Sequence, residues 1–397
     1  MNKLLKEICA RDTRSKEARE LGIYPYYRPI SSGQDPIVKM ADGSDVMMFG
    51  SNSYLGLSDD PRLKEAAKAA IDKYGTSCSG SRFLNGTLDL HEDLEKRLAA
   101  FVGKEAAVTF STGFQVNLGV VSALGFRGGY ILLDDTDHAC IIDGSRLSFS
   151  TVYKFRHNDM QSLEQKLKAC EPDAPKMIVV DGVYSMLGDL CPLPRICELA
   201  EQYNASVMVD DAHGLGVFGE NGSGTASHFG LTDKVDLIMG TFSKSFGSLG
   251  GFIAGDSEVI DFLKHNARSL IFSASMTPAA VAAASCALDI MINEPERREN
   301  LWDVTRYAWN LFRERGFDIN ATESPIIPVM VRDTKKAMAI VTMAYKEGVF
   351  ITPVIAPAVA EKDVLIRFAL MATHTREHVK TAIDKLEVIF RQLDIIR

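Results

Sequence analysis

No apolar run in this 397-residue chain is long enough to cross a bilayer. The longest, Met276 to Leu288, is alanine-rich and stops at Asp289, whereas a helical span needs about 20 residues. A helix inside a globular protein is the expectation for it. A basic block is missing too. Lys and Arg number 44 against 52 Asp and Glu, and a net charge of −8 excludes nucleic acid as a partner. The seven cysteines (Cys9, Cys78, Cys140, Cys170, Cys191, Cys197, Cys286) contain no C-x-x-C pair. Cys191 and Cys197 are the nearest two and have no histidine beside them, so no metal site is expected. With no secretory pattern at the N-terminus, the cysteines read as reduced thiols and the location as cytoplasmic. Internal repeats and low-complexity linkers are absent as well. What remains is an ordinary globular composition, 46% hydrophobic and 24% charged, with length for two or three domains.

The chain is organised around Thr241-Phe242-Ser243-Lys244, which follows the apolar run Val235 to Met239 and precedes a Gly-rich return to Phe252-Ile253-Ala254. Two readings of Lys244 compete: a solvated loop cation, or a Schiff-base lysine whose Thr241 and Ser243 hydroxyls grip a cofactor phosphate. Upstream, Ala205 to Val209 reads as a buried strand that ends in Asp210-Asp211-Ala212-His213-Gly214. Carboxylates at the end of an apolar strand are costly unless a positive group meets them. The pyridinium nitrogen of pyridoxal 5′-phosphate (PLP) is such a group, and an Asp partner makes that ring an electron sink. An aspartate strand end paired with a lysine strand end is far more specific than either alone. On these residues the chain resembles the α-oxoamine synthase family of PLP-dependent enzymes, which have aminotransferase fold type I.

Strand and helix patterns alternate along the middle of the chain. Ala106 to Phe110 reads as a strand, and Ser111-Thr112-Gly113-Phe114 opens a helix whose free N–H groups suit an anion. Further strands are Tyr130 to Leu133, Val152 to Phe155 and Met177 to Val180. Candidate cofactor residues recur after successive strands, as expected of a mostly parallel α/β sheet. The resemblance implies roles for them. It places the PLP phosphate on Gly113, Phe114, Thr241 and Ser243. His138 would stack on the ring and touch the substrate, Ser185 would be a further contact, and Asp210 and His213 would meet the ring nitrogen and 3-hydroxyl. Asn52, in the S-N-x-Y-L-G-L stretch, would lie near the amino-acid substrate. Ser273 would reach the partner's phosphate, which implies an obligate homodimer with shared active sites.

Three parts are expected: an N-terminal helix and hairpin segment (1–54), a large PLP-binding domain (55–290) and a smaller C-terminal α+β domain (291–397). The hairpin signal is the D-G turn in Ala41-Asp42-Gly43-Ser44. Residues 1–20 suggest an amphipathic helix with Leu4, Leu5 and Ile8 apolar, which either packs or gives a weak membrane-surface association. Arg268 to Pro278 reads as a strand end before a Pro-started helix, and Arg82 as a surface cation rather than a substrate contact. Arg367, in the apolar run Val364 to Phe368, is either half of an internal salt bridge or a bidentate clamp on the substrate carboxylate.

The resemblance implies decarboxylating condensation of L-serine with palmitoyl-CoA, giving 3-ketodihydrosphingosine, CoA and CO2. Serine and a long acyl chain are suggested by Ser81 to Thr87, Asp143 to Ser148 and Met371 to Thr375. Alternatives are alanine with a pimeloyl thioester, glycine with acetyl-CoA, a plain aminotransferase, or a non-catalytic subunit. An intact Lys244 speaks against the last. One stretch departs from the pattern: where many serine-using members carry P-P-A-T-P before the arginine, this chain has Thr352-Pro353-Val354-Ile355-Ala356-Pro357-Ala358.

Overall fold

The computed structural model describes residues 3–396, so Met1, Asn2 and Arg397 lie outside it. The expected hairpin forms from β1 (Ile37–Lys39) and β2 (Asp45–Met48), antiparallel with Ile37 opposite Met47. Its turn depends on Gly43 at φ +89°, a left-handed value that a side chain disfavours. The Asp42 carboxylate closes the turn by accepting the Ser44 N–H at 2.9 Å and its hydroxyl at 2.6 Å.

Seven strands follow: β3 (Ala106–Phe110), β4 (Tyr130–Asp134), β5 (Thr151–Phe155), β6 (Lys176–Asp181), β7 (Ser206–Asp210), β8 (Leu237–Thr241) and β9 (Gly251–Gly255). They form one sheet in the order β3-β9-β8-β7-β6-β4-β5, in which only β9 runs antiparallel to its neighbours. Every residue of β6, β8 and β9 is buried. Helices cover both faces of such a sheet, which is why these strands read as continuous apolar runs rather than alternating ones. The parallel strands end together, so Asp134, Asp181, Asp210 and Thr241 gather at one edge of the sheet. That edge is where open α/β sheets hold ligands.

Near the C-terminus, β10 (Ile326–Met330), β12 (Thr352–Val354) and β13 (Leu365–Ala369) make an antiparallel sheet in the order β10-β13-β12. Between them β11 (Val349–Phe350) leaves to pair in parallel with β2, Val349 opposite Met47. The apolar run Val349 to Ile351 reads as one strand, but only Val349 and Phe350 pair; Ile351 lies outside any strand, and the chain then joins the other sheet at Thr352. The closing helix Arg376–Gln392 packs on helix Pro295–Glu314, with Phe317 edge-on to both Phe312 and Phe390.

The alanine-rich stretch lies in helix Pro278–Asn293, where Thr277 caps the first turn and Pro278 occupies its start. This helix packs along Pro61–Tyr74, its small side chains allowing close approach. Among the described residues no helix is long and apolar enough to cross a membrane.

Three expectations are corrected. The N-terminal helix is two short ones, Lys3–Cys9 and Arg14–Glu20. Asp12 separates them by turning its carboxylate onto the Arg14 N–H and guanidinium, a local bond that competes with helix. The segment before Pro278 has no strand: Arg268–Ile271 is a helical turn, and Ser275 bonds the Gly80 carbonyl of a loop instead of joining a sheet. Arg82 is not a surface cation. Its side chain is 9% exposed, pairs with Glu95, and donates to Thr109 at 2.7 Å and Thr87 at 3.1 Å.

Candidate active site

A cavity of about 260 Å³ opens at the carboxyl edge of the central sheet, between the strand ends and the first turn of helix Gly113–Leu124. Gly113, Phe114, His138, Ser185, Asp210, His213, Thr241, Ser243 and Lys244 all line it. Thr112 caps the helix by accepting the Gln115 N–H, which leaves the Gly113 and Phe114 N–H groups without helical partners. Opposite them, the Thr241 and Ser243 hydroxyls lie 3.0 Å apart. A Cβ added at Gly113 would stand 2.7 Å from the Thr241 hydroxyl oxygen, so only glycine lets the helix end approach this closely.

Asp210 is buried at the end of β7, its carboxylate accepting the Ala212 N–H at 3.0 Å and the Asn117 amide at 2.5 Å. The adjacent Asp211 faces away and accepts the Thr225 N–H and hydroxyl, both at 2.5 Å. Burial pushes its carboxyl up to about 7. The two carboxylates of the D-D-A-H motif therefore part: one lines the cavity, the other anchors the turn behind it.

Burial pushes the half-buried Lys244 amine down to about 8, against the pull of Asp210 and Asp181. Such an amine is neutral far more often than a solvated lysine, as a nucleophile or base requires. Burial also lowers His138, with Asp210 opposing and Lys244 assisting. It lowers His213 well below the usual histidine range, helped by the nearby Lys244 and Arg367 charges. His138 caps helix Ala139–Arg146, its Nδ1 accepting the Cys140 N–H, and its own N–H donates to Asp181 at 3.0 Å.

Asn52 and Arg367 stand beside this cavity rather than in its wall. Arg367 is 6% exposed, and among the described residues no carboxylate pairs with it, so the internal salt bridge is excluded. Its Nε donates to the Ser185 carbonyl at 2.7 Å, and one Nη donates to Asn52 at 2.8 Å and Tyr54 at 3.1 Å. The Tyr54 hydroxyl lies 2.6 Å from His213 Nδ1. A hydroxyl that accepts from arginine and donates to Nδ1 leaves the His213 Nε2–H free as a donor. Ser273 is the one cofactor candidate outside the cavity wall. In its own chain it accepts from the Gln115 amide at 3.1 Å.

Sequence reasoning gave no role to Asn117, Tyr54, Asp181 or Cys140. Asn117 carried a usable signal: it lies one turn beyond Gly113 and is the polar residue of the otherwise apolar Val116 to Val121, where the structure buries it fully.

The residues fit pyridoxal phosphate. The glycine-floored cradle of N–H and hydroxyl donors suits a phosphate, buried Asp210 suits a pyridinium, and Lys244 supplies the amine. Fold and site together define a PLP-dependent enzyme of aminotransferase fold type I. The chain belongs to the aminotransferase class I and II family, whose model matches residues 44–386. It is 59% identical over 380 residues to a serine palmitoyltransferase of Sphingobacterium spiritivorum, covering 96% of this chain and 95% of that protein. It is 58% identical over 393 residues to a serine palmitoyltransferase of Bacteroides thetaiotaomicron, covering 99% and 100%. Among solved structures it matches a high-resolution structure of SPT with the PLP internal aldimine, with TM-score 0.96, 32% identity and 100% of both chains covered. The α-oxoamine synthase resemblance and the PLP assignment are thereby borne out.

Proposed function

We propose that the protein is a PLP-dependent acyltransferase that joins L-serine to palmitoyl-CoA and releases CO2 and CoA, giving 3-ketodihydrosphingosine for sphingolipid synthesis. The observation that carries this reading is Arg367, a buried guanidinium without a carboxylate partner among the described residues, held beside the Lys244 cavity. A planar fork of donors is suited to an amino-acid carboxylate. Serine and the long acyl chain are supported by what the relatives are named.

Gly113, Phe114, Thr241 and Ser243, with Ser273 of the partner subunit, would hold the phosphate. His138, Ser185, Asp210 and His213 would hold the ring, and Lys244 would bind it covalently. PLP, when bound, supplies an electron sink for charge that develops at the substrate Cα. Arg367 and Asn52 hold the serine carboxylate and so fix which Cα bond faces Lys244. Lys244, a free amine once the serine amine has displaced it, takes the Cα proton, burial having lowered its basicity to about 8. The new bond joins Cα to the acyl carbon while the thioester C–S bond breaks and CoA leaves. The Cα–carboxylate bond then breaks, CO2 departs, and Lys244 returns a proton to Cα.

Phe83, Leu84 and Phe272 are exposed apolar side chains on two segments that Ser275 ties together at the Gly80 carbonyl, which supports the homodimer. We also assign the cytoplasm as the location and residues 1–54, 55–290 and 291–397 as the three parts. Leu4, Leu5 and Ile8 are exposed on the first helix, which supports a weak membrane-surface association.

The test is to add single amino acids to the PLP-loaded protein and record its absorbance, then measure CO2 release with each acyl-CoA. Serine alone should perturb the spectrum, and palmitoyl-CoA should then release CO2. Turnover of alanine with a pimeloyl thioester, of glycine with acetyl-CoA, or amino transfer to a 2-oxo acid would overturn it.

A further inference from the structure

His157, outside the cavity wall, is clamped between two acidic loops that belong to the site. Its Nδ1 lies 3.1 Å from Asp134, the last residue of β4, and 2.7 Å from the Thr136 hydroxyl on the loop from there to His138. Its Nε2 lies 2.9 Å from Asp189, at the far end of the loop that follows β6. That loop folds back on itself: Tyr184 N–H donates to the Asp189 carbonyl at 3.0 Å and Gly188 N–H to the Tyr184 carbonyl at 2.8 Å. The Tyr184 ring stands edge-on to His157, with centroids 4.4 Å apart. Ser185, the next residue, lines the cavity and accepts the Arg367 Nε–H. Asn158 adds a second tie to Asp189 at 3.0 Å and to the Leu190 carbonyl at 3.1 Å.

We propose that His157 is a positioning residue that sets the Ser185 carbonyl, and through it the fork of Arg367, for carboxylate recognition. The inference rests on the reading of Arg367 as the carboxylate clamp. Two carboxylates, each within hydrogen-bond reach of a ring nitrogen, need both nitrogens to donate, so the ring works as an imidazolium. Its proton affinity agrees: the two aspartates hold it, raised to about 10 against the cost of burial. A neutral side chain in its place would lose the charge-assisted contact to both carboxylates, leaving Asn158 as the remaining side-chain tie on Asp189 and the Ser185 turn less firmly held.

The experiment uses PLP-loaded full-length protein and follows binding by absorbance. Serine is compared with ethanolamine, the same amine and alcohol without the carboxylate. In His157→Gln the ratio of serine to ethanolamine affinity should fall about tenfold, the scale of one displaced charge-assisted hydrogen bond. Asp189→Asn, which leaves the His157–Asp134 contact in place, should lower the ratio in the same direction if His157→Gln fails to fold. Adding either change to Arg367→Ala should lower the ratio no further, because the effect passes through that arginine. A melting temperature that falls while the ratio stays unchanged would make His157 purely structural and overturn the proposal. So would full additivity with Arg367→Ala. A wild-type protein with no preference for serine over ethanolamine would instead sink the clamp reading itself, and this inference with it.

Discussion

At the scale of single residues, the site turns on Lys244, among the described residues the one lysine in the cavity wall. Lys244 and Asp210 stood out in the sequence because a charge at the end of an apolar strand demands a partner, and both line the cavity. Arg82 gave no such sign: it sits in a loop, and its partner Glu95 lies on the separate helix Asp89–Phe101. Lys244→Ala should keep PLP through the phosphate cradle but lose the link that borohydride fixes, and mass spectrometry of the reduced protein checks this. An adduct on any other lysine would refute the assignment of Lys244. His157 gives a prediction for the fold. The folded imidazole is raised to about 10, while an unfolded histidine titrates near about 6.5. The bound proton therefore stabilises the native state fully below about pH 6.5, and that contribution fades as pH rises through about 10. Urea unfolding of wild type and His157→Gln across this range should give curves that converge on the alkaline side. A constant difference from pH 6 to 10 would contradict the assignment.

At the scale of elements, buried strands announced themselves because both faces of a parallel sheet are covered, and β3 and β10 fall where the apolar runs predict. Caps were equally plain: Asp60 before Pro61 and Thr277 before Pro278 open their helices as their residue types suggest. Register between distant segments was not legible. Nothing local says that Val349 pairs with Met47, or that the chain changes sheets between Phe350 and Thr352, since both depend on where the C-terminal part settles. The Gly113 position tests the cradle directly. Alanine is the better helix former, so Gly113→Ala should not lower the melting temperature through propensity. Its Cβ would crowd the Thr241 hydroxyl and move a donor off the phosphate. Titrating PLP into the cofactor-free protein should show affinity weakened about tenfold to hundredfold, the worth of a hydrogen bond to a charged group. Unchanged affinity would mean the phosphate sits elsewhere.

At the scale of the whole molecule, Ser273 tests the proposal that two copies share each site. Ser273 is held by Gln115 outside the cavity that holds Thr241 and Ser243, and its neighbour Phe272 is 73% exposed. Both facts have one explanation if this segment crosses to a second copy and delivers Ser273 to that copy's phosphate. Phe272→Asp should then weaken dimerisation in sedimentation and PLP affinity together. Complementation is the sharper test. When Lys244→Ala and Ser273→Ala proteins are unfolded together and refolded, a mixed dimer with crossed serines has one doubly altered site and one fully wild-type site. Half of its sites should bind PLP with wild-type affinity and be fixed by borohydride. If Ser273 served its own chain, every site in the mixture would lack either the lysine or the serine. Mixed dimers with no site of wild-type affinity would therefore end the shared-site reading, whatever the sedimentation result.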